Sequence, residues 1–395
     1  MSAAAPAAGR MGHLRTQLGH PMALYYWLLG ATALLLGVGL AMVMSASSYL
    51  SQEHYNTPYY YFQRQLMFAA LGVILLFIAS RTPEKWWIRL AWTIYALALG
   101  GLLAVLAIGT VVNGHRGWIV IGGPVRFQPS EFAKLALIIW GAAIAAKKRG
   151  HFDTWGHILV PLLPGGLLLI ALVAAEGDLG TAMVMSPILF ALFYAAGAPL
   201  RLFAYLGVLG IVGLAALSST HGYRIARFAS WLNPSADPSG KGYQVLQGRT
   251  AMGSGGILGV GLGASRGKWG WLPEAHTDFI FAVLGEELGL VGTLMLLGAF
   301  FVLAVCMIVL ARRTTSTFAR VAAIGVCAWI MGQAMVNIGA VIGILPVTGI
   351  PLPLVSYGGS SLVPELVALG LVVGLARAQA RQPVEASKVD LEVAA

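Results

Sequence analysis

Ten apolar runs, each long enough to cross a bilayer once tilt and short polar interruptions are allowed, constrain this chain more than any other feature. They fall near residues 23–45, 64–80, 87–109, 130–147, 158–175, 179–197, 199–218, 278–310, 319–344 and 354–378. With 58% hydrophobic residues, 10% charged residues and a mean hydropathy of +0.79, nothing between the runs turns the chain into a soluble one. The expected fold is an all-α polytopic membrane protein of about ten transmembrane helices. Residues 23–379 form the membrane domain, and 1–22 and 380–395 are short polar tails that cannot bury a core.

Basic residues flanking short loops stay in the cytoplasm, and here they fall on one side of a ten-span arrangement. They are Arg10 and Arg15, Arg81 and Lys85, Lys147 to Arg149, Arg201, Arg312 and Arg313, and Arg377 and Arg381. Both termini are thus expected in the cytoplasm. The first span lacks a small-residue cleavage site after Val43 and reads as a retained anchor, not a signal peptide. Cys306 and Cys327 lie inside apolar runs and read as packing.

The longest water-facing segment, 221–277, lies between the expected seventh and eighth spans and carries six Lys/Arg against two acids. It ends at Asp278, where an apolar run begins. An ionisable group at a membrane boundary is a functional candidate, and beside a basic loop it suggests an anionic lipid substrate and a general base. Arg224 and Arg227 share a helical face with aromatic neighbours, which fits an interfacial helix; Arg249, Arg266 and Lys268 add charge suited to a diphosphate. The GVGLGA string at 259–264 mimics a dinucleotide fingerprint, but no strand precedes it and no parallel sheet is expected, so it carries no such reading. No feature points to nucleic acid.

Three further segments hold candidates. In 113–136, Ser130 is placed to cap the next helix, Glu131 and Lys134 stand three residues apart on one face, and Arg116 beside Trp118 suits a headgroup contact or an interfacial anchor. Glu176 to Thr181 is a tight turn in which Asp178 is an N-cap or a site residue. In 337–365, prolines and the Gly358-Gly359 pair break the hydrophobic pattern, and Ser356, Ser360 and Ser361 are placed to line a wet cavity.

The strings NGHRGWI…FQPSEFAKLA, EGDLGT, YQVLQG…GSGGILGVGLG, LPEAHTDFIFAVLGEELG and GILPVTGIPLPLVSYGGSSL together resemble the SEDS family (shape, elongation, division, sporulation), from about Leu34 to Ala376. The QG of YQVLQG and the GEE at Gly285 to Glu287 are more similar to its division branch than to its elongation branch. The resemblance implies a ten-helix peptidoglycan glycosyltransferase that polymerises lipid II outside the cytoplasmic membrane. It also implies a class B penicillin-binding transpeptidase as partner, with other division proteins at the septum. Asp278 takes the family's essential acid position. Lys268, Arg116, Lys134, Glu131 and Asp178, with Gln244, His276, Ser356 and Ser360, take polar, substrate-binding positions around it. Two departures stand out: Gly177 where the family usually has Pro, and Gly117 where a second basic residue often precedes Trp118.

The chemistry required agrees with the residues. A sugar hydroxyl attacks the anomeric carbon of a lipid-linked donor as diphosphate leaves, so the site needs a base and cations. Asp278 suits the first role, and Lys268 and Arg116 the second. No cofactor is evident and no residues have metal-ligand spacing, so a divalent cation would come only through the substrate diphosphate. A flippase for lipid-linked precursors would use a similar cavity but needs no titratable base at a fixed outer position. A non-catalytic scaffold for the transpeptidase accounts for the helices but not for the intramembrane charges.

Overall fold

A computed structural model describes residues 22–112, 115–122, 125–148, 156–198 and 242–393, with isolated positions between 201 and 234. The expected seventh span at 199–218 falls almost wholly outside the described residues, and Arg224, Arg227 and most of the N-terminal tail fall wholly outside them. The described helices are α1 (Ala23–Tyr55), α2 (Tyr60–Arg81), α3 (Glu84–Ile108), α4 (Pro129–Lys147), α5 (Gly156–Ala175), α6 (Leu179–Ala195), α7 (Tyr243–Ser254), α8 (Ile280–Arg313), α9 (Thr317–Ile342) and α10 (Gly359–Val393). Seven of these are long and apolar enough to cross a membrane, and two shorter apolar helices, Val160–Ala175 and Leu179–Ala195, lie among them.

Apart from α7, which lies within the segment 221–277, the described helices match the apolar runs closely, with departures that have local causes. α1 continues ten residues past its apolar run because its polar side chains satisfy themselves within the helix. Ser47 and Ser48 donate to the Val43 and Ser45 carbonyls at 2.7 and 2.9 Å, and the helix stops only at Asn56 in left-handed backbone. Pro129, not Ser130, opens α4, because proline suits a first helical position with no N–H to satisfy; Ser130 lies buried in the first turn. α10 runs on past residue 379, so the expected C-terminal tail begins as helix.

The all-α expectation fails at 110–127. Strands β1 (Thr110–Val112), β2 (His115–Gly122) and β3 (Val125–Phe127) form an antiparallel sheet of order β1-β2-β3, pairing Val112 with His115 and Ile119 with Phe127. The segment is rich in β-branched residues, and an Asn-Gly dipeptide separates Val112 from His115, which is a hairpin signal.

α4 sits at the centre: every residue from Pro129 to Ala145 except Phe132 is buried. Since lipid tails are as apolar as leucine, close backbone approach holds such helices together. Trp140 packs over Gly165 of α5, where a Cβ would come within 2.2 Å of the ring, and stacks on Tyr95 of α3 at 4.3 Å.

α8 is broken at Gly289, whose φ of 63° and ψ of −160° interrupt the helix. The segment 256–261 fills the break. Val260 and Gly261 donate to the Glu286 and Glu287 carbonyls at 2.9 and 3.0 Å, while Leu290 and Val291 donate to Gly256 and Ile257 at 3.0 and 3.2 Å. The loop thereby replaces the helical bonds lost, as backbone at membrane depth requires. This accounts for Gly259 of the GVGLGA string, where a Cβ would lie 2.1 Å from the Glu287 carbonyl oxygen, and for Gly289 itself, where a Cβ would lie 2.3 Å from the Gly259 nitrogen. Gly289→Ala is expected to lose about 1–3 kcal/mol through its positive φ alone, and more through the clash. Thermal unfolding in detergent checks this, and an unchanged midpoint would mean that the break is not obligatory.

Candidate active site

Asp278 lies in the turn just before α8, half-buried, and its backbone is held by neighbours on two elements. Asn337 of α9 donates to the Asp278 carbonyl and to the Ile350 carbonyl, both at 2.8 Å. Ser356 donates to the Thr277 carbonyl at 2.6 Å, and the Tyr357 N–H donates to the His276 carbonyl at 3.0 Å. The carboxylate faces the Gly349 backbone, where a Cβ would lie 3.7 Å from Oδ2. The non-helical segment 343–358 is therefore the floor on which the acid rests.

His276 is buried between the rings of Tyr61 and Tyr357, at 5.1 and 5.6 Å. Burial pushes its imidazole below the usual value, partly offset by Glu274. Arg64 and Arg126 lie close enough to Tyr357 to act on its phenol, which burial pushes up and they pull back. Gln244, the second residue of α7, donates to the Pro273 carbonyl at 3.4 Å, and Ser360 donates to the Arg126 carbonyl at 2.9 Å, tying β3 to α10.

The turn at 176–178 leads into α6 where it packs against the same floor, since a Cβ on Gly180 would meet the Thr348 carbonyl at 3.0 Å. Asp178 is the N-cap of α6: it accepts from the Thr181 N–H at 2.9 Å and hydroxyl at 2.7 Å, and from Gln128 at 3.1 Å. Gly177 has φ of 86°, a conformation closed to proline, so the family departure there changes the turn itself. Glu176 is 3% exposed, and neither carboxylate oxygen has a hydrogen-bond partner. Burial, then the charge of Asp178, push its carboxyl up to about 8.

A folded value above the unfolded one stabilises the protein at low pH, and that stabilisation is lost as pH rises through about 8. The melting temperature of the wild type should consequently fall relative to Glu176→Gln between about pH 5 and pH 9. A constant difference across that range would rule out an unpaired buried carboxyl.

Beneath the floor, Lys134 lies 2.8 and 2.9 Å from the two Glu131 oxygens, so the expected pair is present. It also donates to Gln333 of α9 at 2.9 Å. Two expected cations are engaged elsewhere. Lys268 is 8% exposed, 3.6 Å from Glu287 and 3.4 Å from Ser45 of α1, and it donates to Gly263. Glu286 beside it accepts from the Arg266 and Gly267 N–H groups at 2.9 and 3.3 Å, so this cluster pins the loop to α8. Arg116 projects from β2 and donates to the Leu106 carbonyl at 3.0 Å in the last turn of α3.

The side chains that sequence reasoning missed are mostly polar residues inside apolar runs. Gln65, Gln333, Asn337 and Glu365 could have been found by treating every such residue as a site candidate, as was done for the charged pair of α4. Arg64 is a basic residue at the end of a span opposite the basic loops, which also marks it.

These features define a polytopic membrane protein with a carboxylate-bearing polar site at one end of its helical bundle. Residues 26–381 match the cell cycle protein family of FtsW, RodA and SpoVE, and the chain belongs to that family. It is 41% identical over 362 residues to the probable peptidoglycan glycosyltransferase FtsW of Mycobacterium tuberculosis, covering 91% of this chain and 69% of the relative. It is 39% identical over 350 residues to the stage V sporulation protein E of Bacillus subtilis, covering 88% and 95%. Among solved structures, a chain of a peptidoglycan synthase complex that coordinates polymerization and crosslinking aligns with a TM-score of 0.74 at 29% identity, covering 90% of this chain and 98% of that one. The rod shape determining protein RodA of Thermus thermophilus aligns with a TM-score of 0.65 at 29% identity, covering 89% and 96%.

Proposed function

We propose that this chain is a peptidoglycan glycosyltransferase of the FtsW type that polymerises lipid II, with Asp278 as general base. The observation that carries the reading is a half-buried carboxylate whose backbone is held by Asn337 while its two preceding residues are held by Ser356 and Tyr357. A base must be preorganised to take a proton in the transition state, and such bracing preorganises it. FtsW relatives at about 40% identity and a solved synthase complex support the reaction class.

In this reading the acceptor sugar hydroxyl loses its proton to Asp278 and its oxygen bonds to the donor's anomeric carbon. The bond from that carbon to the diphosphate breaks, and the electron pair leaves on the lipid diphosphate. A single displacement inverts the centre, from an α-linked diphosphate to a β-linked glycan. Arg64 and Arg126, which act on Tyr357 beside His276, supply cations for the departing charge in this reading. Lys268 and Arg116 act through the loop and the helix end that they hold, and His276, Gln244, Asp178, Ser356 and Ser360 shape the site. A divalent cation, where one takes part, arrives with the diphosphate.

The same reading makes the chain a ten-span protein of the bacterial cytoplasmic membrane, with both termini cytoplasmic and the loop 221–277 outside between the seventh and eighth spans. Its partner is a class B penicillin-binding transpeptidase, in line with the coupling of polymerization and crosslinking described for the synthase complex. Other division proteins at the septum complete the setting. Incubating the purified protein with lipid II, alone and with the transpeptidase, tests the reading: glycan strands support it, and translocated lipid without polymer would replace it with a flippase.

A further inference from the structure

Leu354 is the strained point of the floor. It is buried at 2% exposure with φ of 63°, a left-handed conformation that a leucine rarely adopts. Its N–H finds its acceptor outside its own segment, in the Glu365 carboxylate at 2.9 Å. Glu365 is itself 1% exposed in α10, within the span Gly359–Arg381. Its other oxygen accepts from Gln333 at 3.3 Å. That same amide nitrogen donates to the Pro351 carbonyl at 3.0 Å, and the Gln333 oxygen accepts from Lys134 and from Trp329, each at 2.9 Å. A carboxylate among apolar helices is costly, so its presence points to a task that an apolar side chain cannot perform. Here the task is visible: one group binds the strained backbone and the polar network that ends in the Lys134–Glu131 pair.

Two residues on from Leu354, Ser356 grips the Thr277 carbonyl, and Tyr357 grips His276. We infer that Glu365 is a positioning residue for Asp278: by holding Leu354 in left-handed backbone it sets Ser356 and Tyr357, and through them the turn that aims the acid. The inference rests on Asp278 being the base. Glu365 does not touch the reacting groups, so its loss should lower the rate of the chemical step and leave substrate binding nearly intact.

The experiment compares lipid II polymerisation by Glu365→Leu and Glu365→Gln, each purified and shown to be folded by its melting profile. Glu365→Leu removes the acceptor and is expected to lower the rate at saturating lipid II by about 10-fold or more, with KM within about twofold. Glu365→Gln keeps an oxygen for the Leu354 N–H and should return the rate to within about threefold of wild type. Ser356→Ala cuts the connection at its far end while leaving the buried carboxylate in place, so it should show the same rate-selective loss even if Glu365→Leu does not fold. The inference is overturned if folded Glu365→Leu polymerises like wild type, if the Gln and Leu variants lose rate equally, or if Ser356→Ala raises KM at an unchanged saturated rate. Asp278→Asn in parallel separates the two ideas. A dead Asp278→Asn beside a normal Glu365→Leu removes only the positioning role, whereas an active Asp278→Asn removes the base itself.

Discussion

Asp278→Asn should reduce glycan polymer by about 100-fold or more, while the protein folds and binds lipid II as before. The substitution is nearly isosteric, and none of the three bonds from Asn337, Ser356 and Tyr357 uses the Asp278 side chain, because all three end on main-chain carbonyls. The turn should therefore keep its path. What disappears is the ability to accept a proton from the attacking hydroxyl, a contribution typically worth two to four powers of ten. Polymer formation is measured at saturating lipid II and binding by retention of labelled lipid on the immobilised protein. Near-normal polymerisation by the folded variant would sink the assignment of Asp278 as base, and lost binding with an unchanged saturated rate would recast it as a substrate contact.

The spans were legible because hydrocarbon accepts so few solutions: a helix of apolar residues satisfies its own backbone, and the runs near 23–45, 64–80, 87–109 and 319–344 can hardly be anything else. The Glu131–Lys134 pair was legible for a similar reason, since spacing alone puts the two on one face and burial compels them to meet. The Asp178 cap followed from local chemistry. The misses are where tertiary contacts decide. Lys268 read as a cation for the substrate diphosphate, yet its partners Glu287 and Ser45 come from α8 and α1. No local pattern announces that Gly255 and Gly259 must fit against a broken α8. The sheet at 110–127 was a different kind of miss, because its Asn-Gly signal was local and was outweighed by the helical character of everything around it.

The second large effect is expected beneath the floor, at Lys134. Its ammonium is 1% exposed, lies within 2.9 Å of both Glu131 oxygens and of Gln333, and sits 5.0 Å from the Trp329 ring centroid. Lys134→Met fills most of the same volume but leaves Glu131 as an uncompensated buried carboxylate, which should cost about 3 kcal/mol or more. Glu131→Gln/Lys134→Met removes the stranded charge as well, so most of that stability should return, and the two single changes should be strongly non-additive. Thermal unfolding of the four proteins of this cycle is the measurement, and additive losses would mean that the two residues do not act as a pair. Polymerisation by the double variant then carries a second answer. Gln333 keeps Trp329 as a donor and still reaches Pro351 and Glu365, so the floor has a route to its native shape without the ion pair. Recovered folding with recovered activity would make the pair a fastening of the bundle. Recovered folding without activity would mean that the charge on Lys134 is needed to set Gln333, and through it the segment on which Asp278 rests.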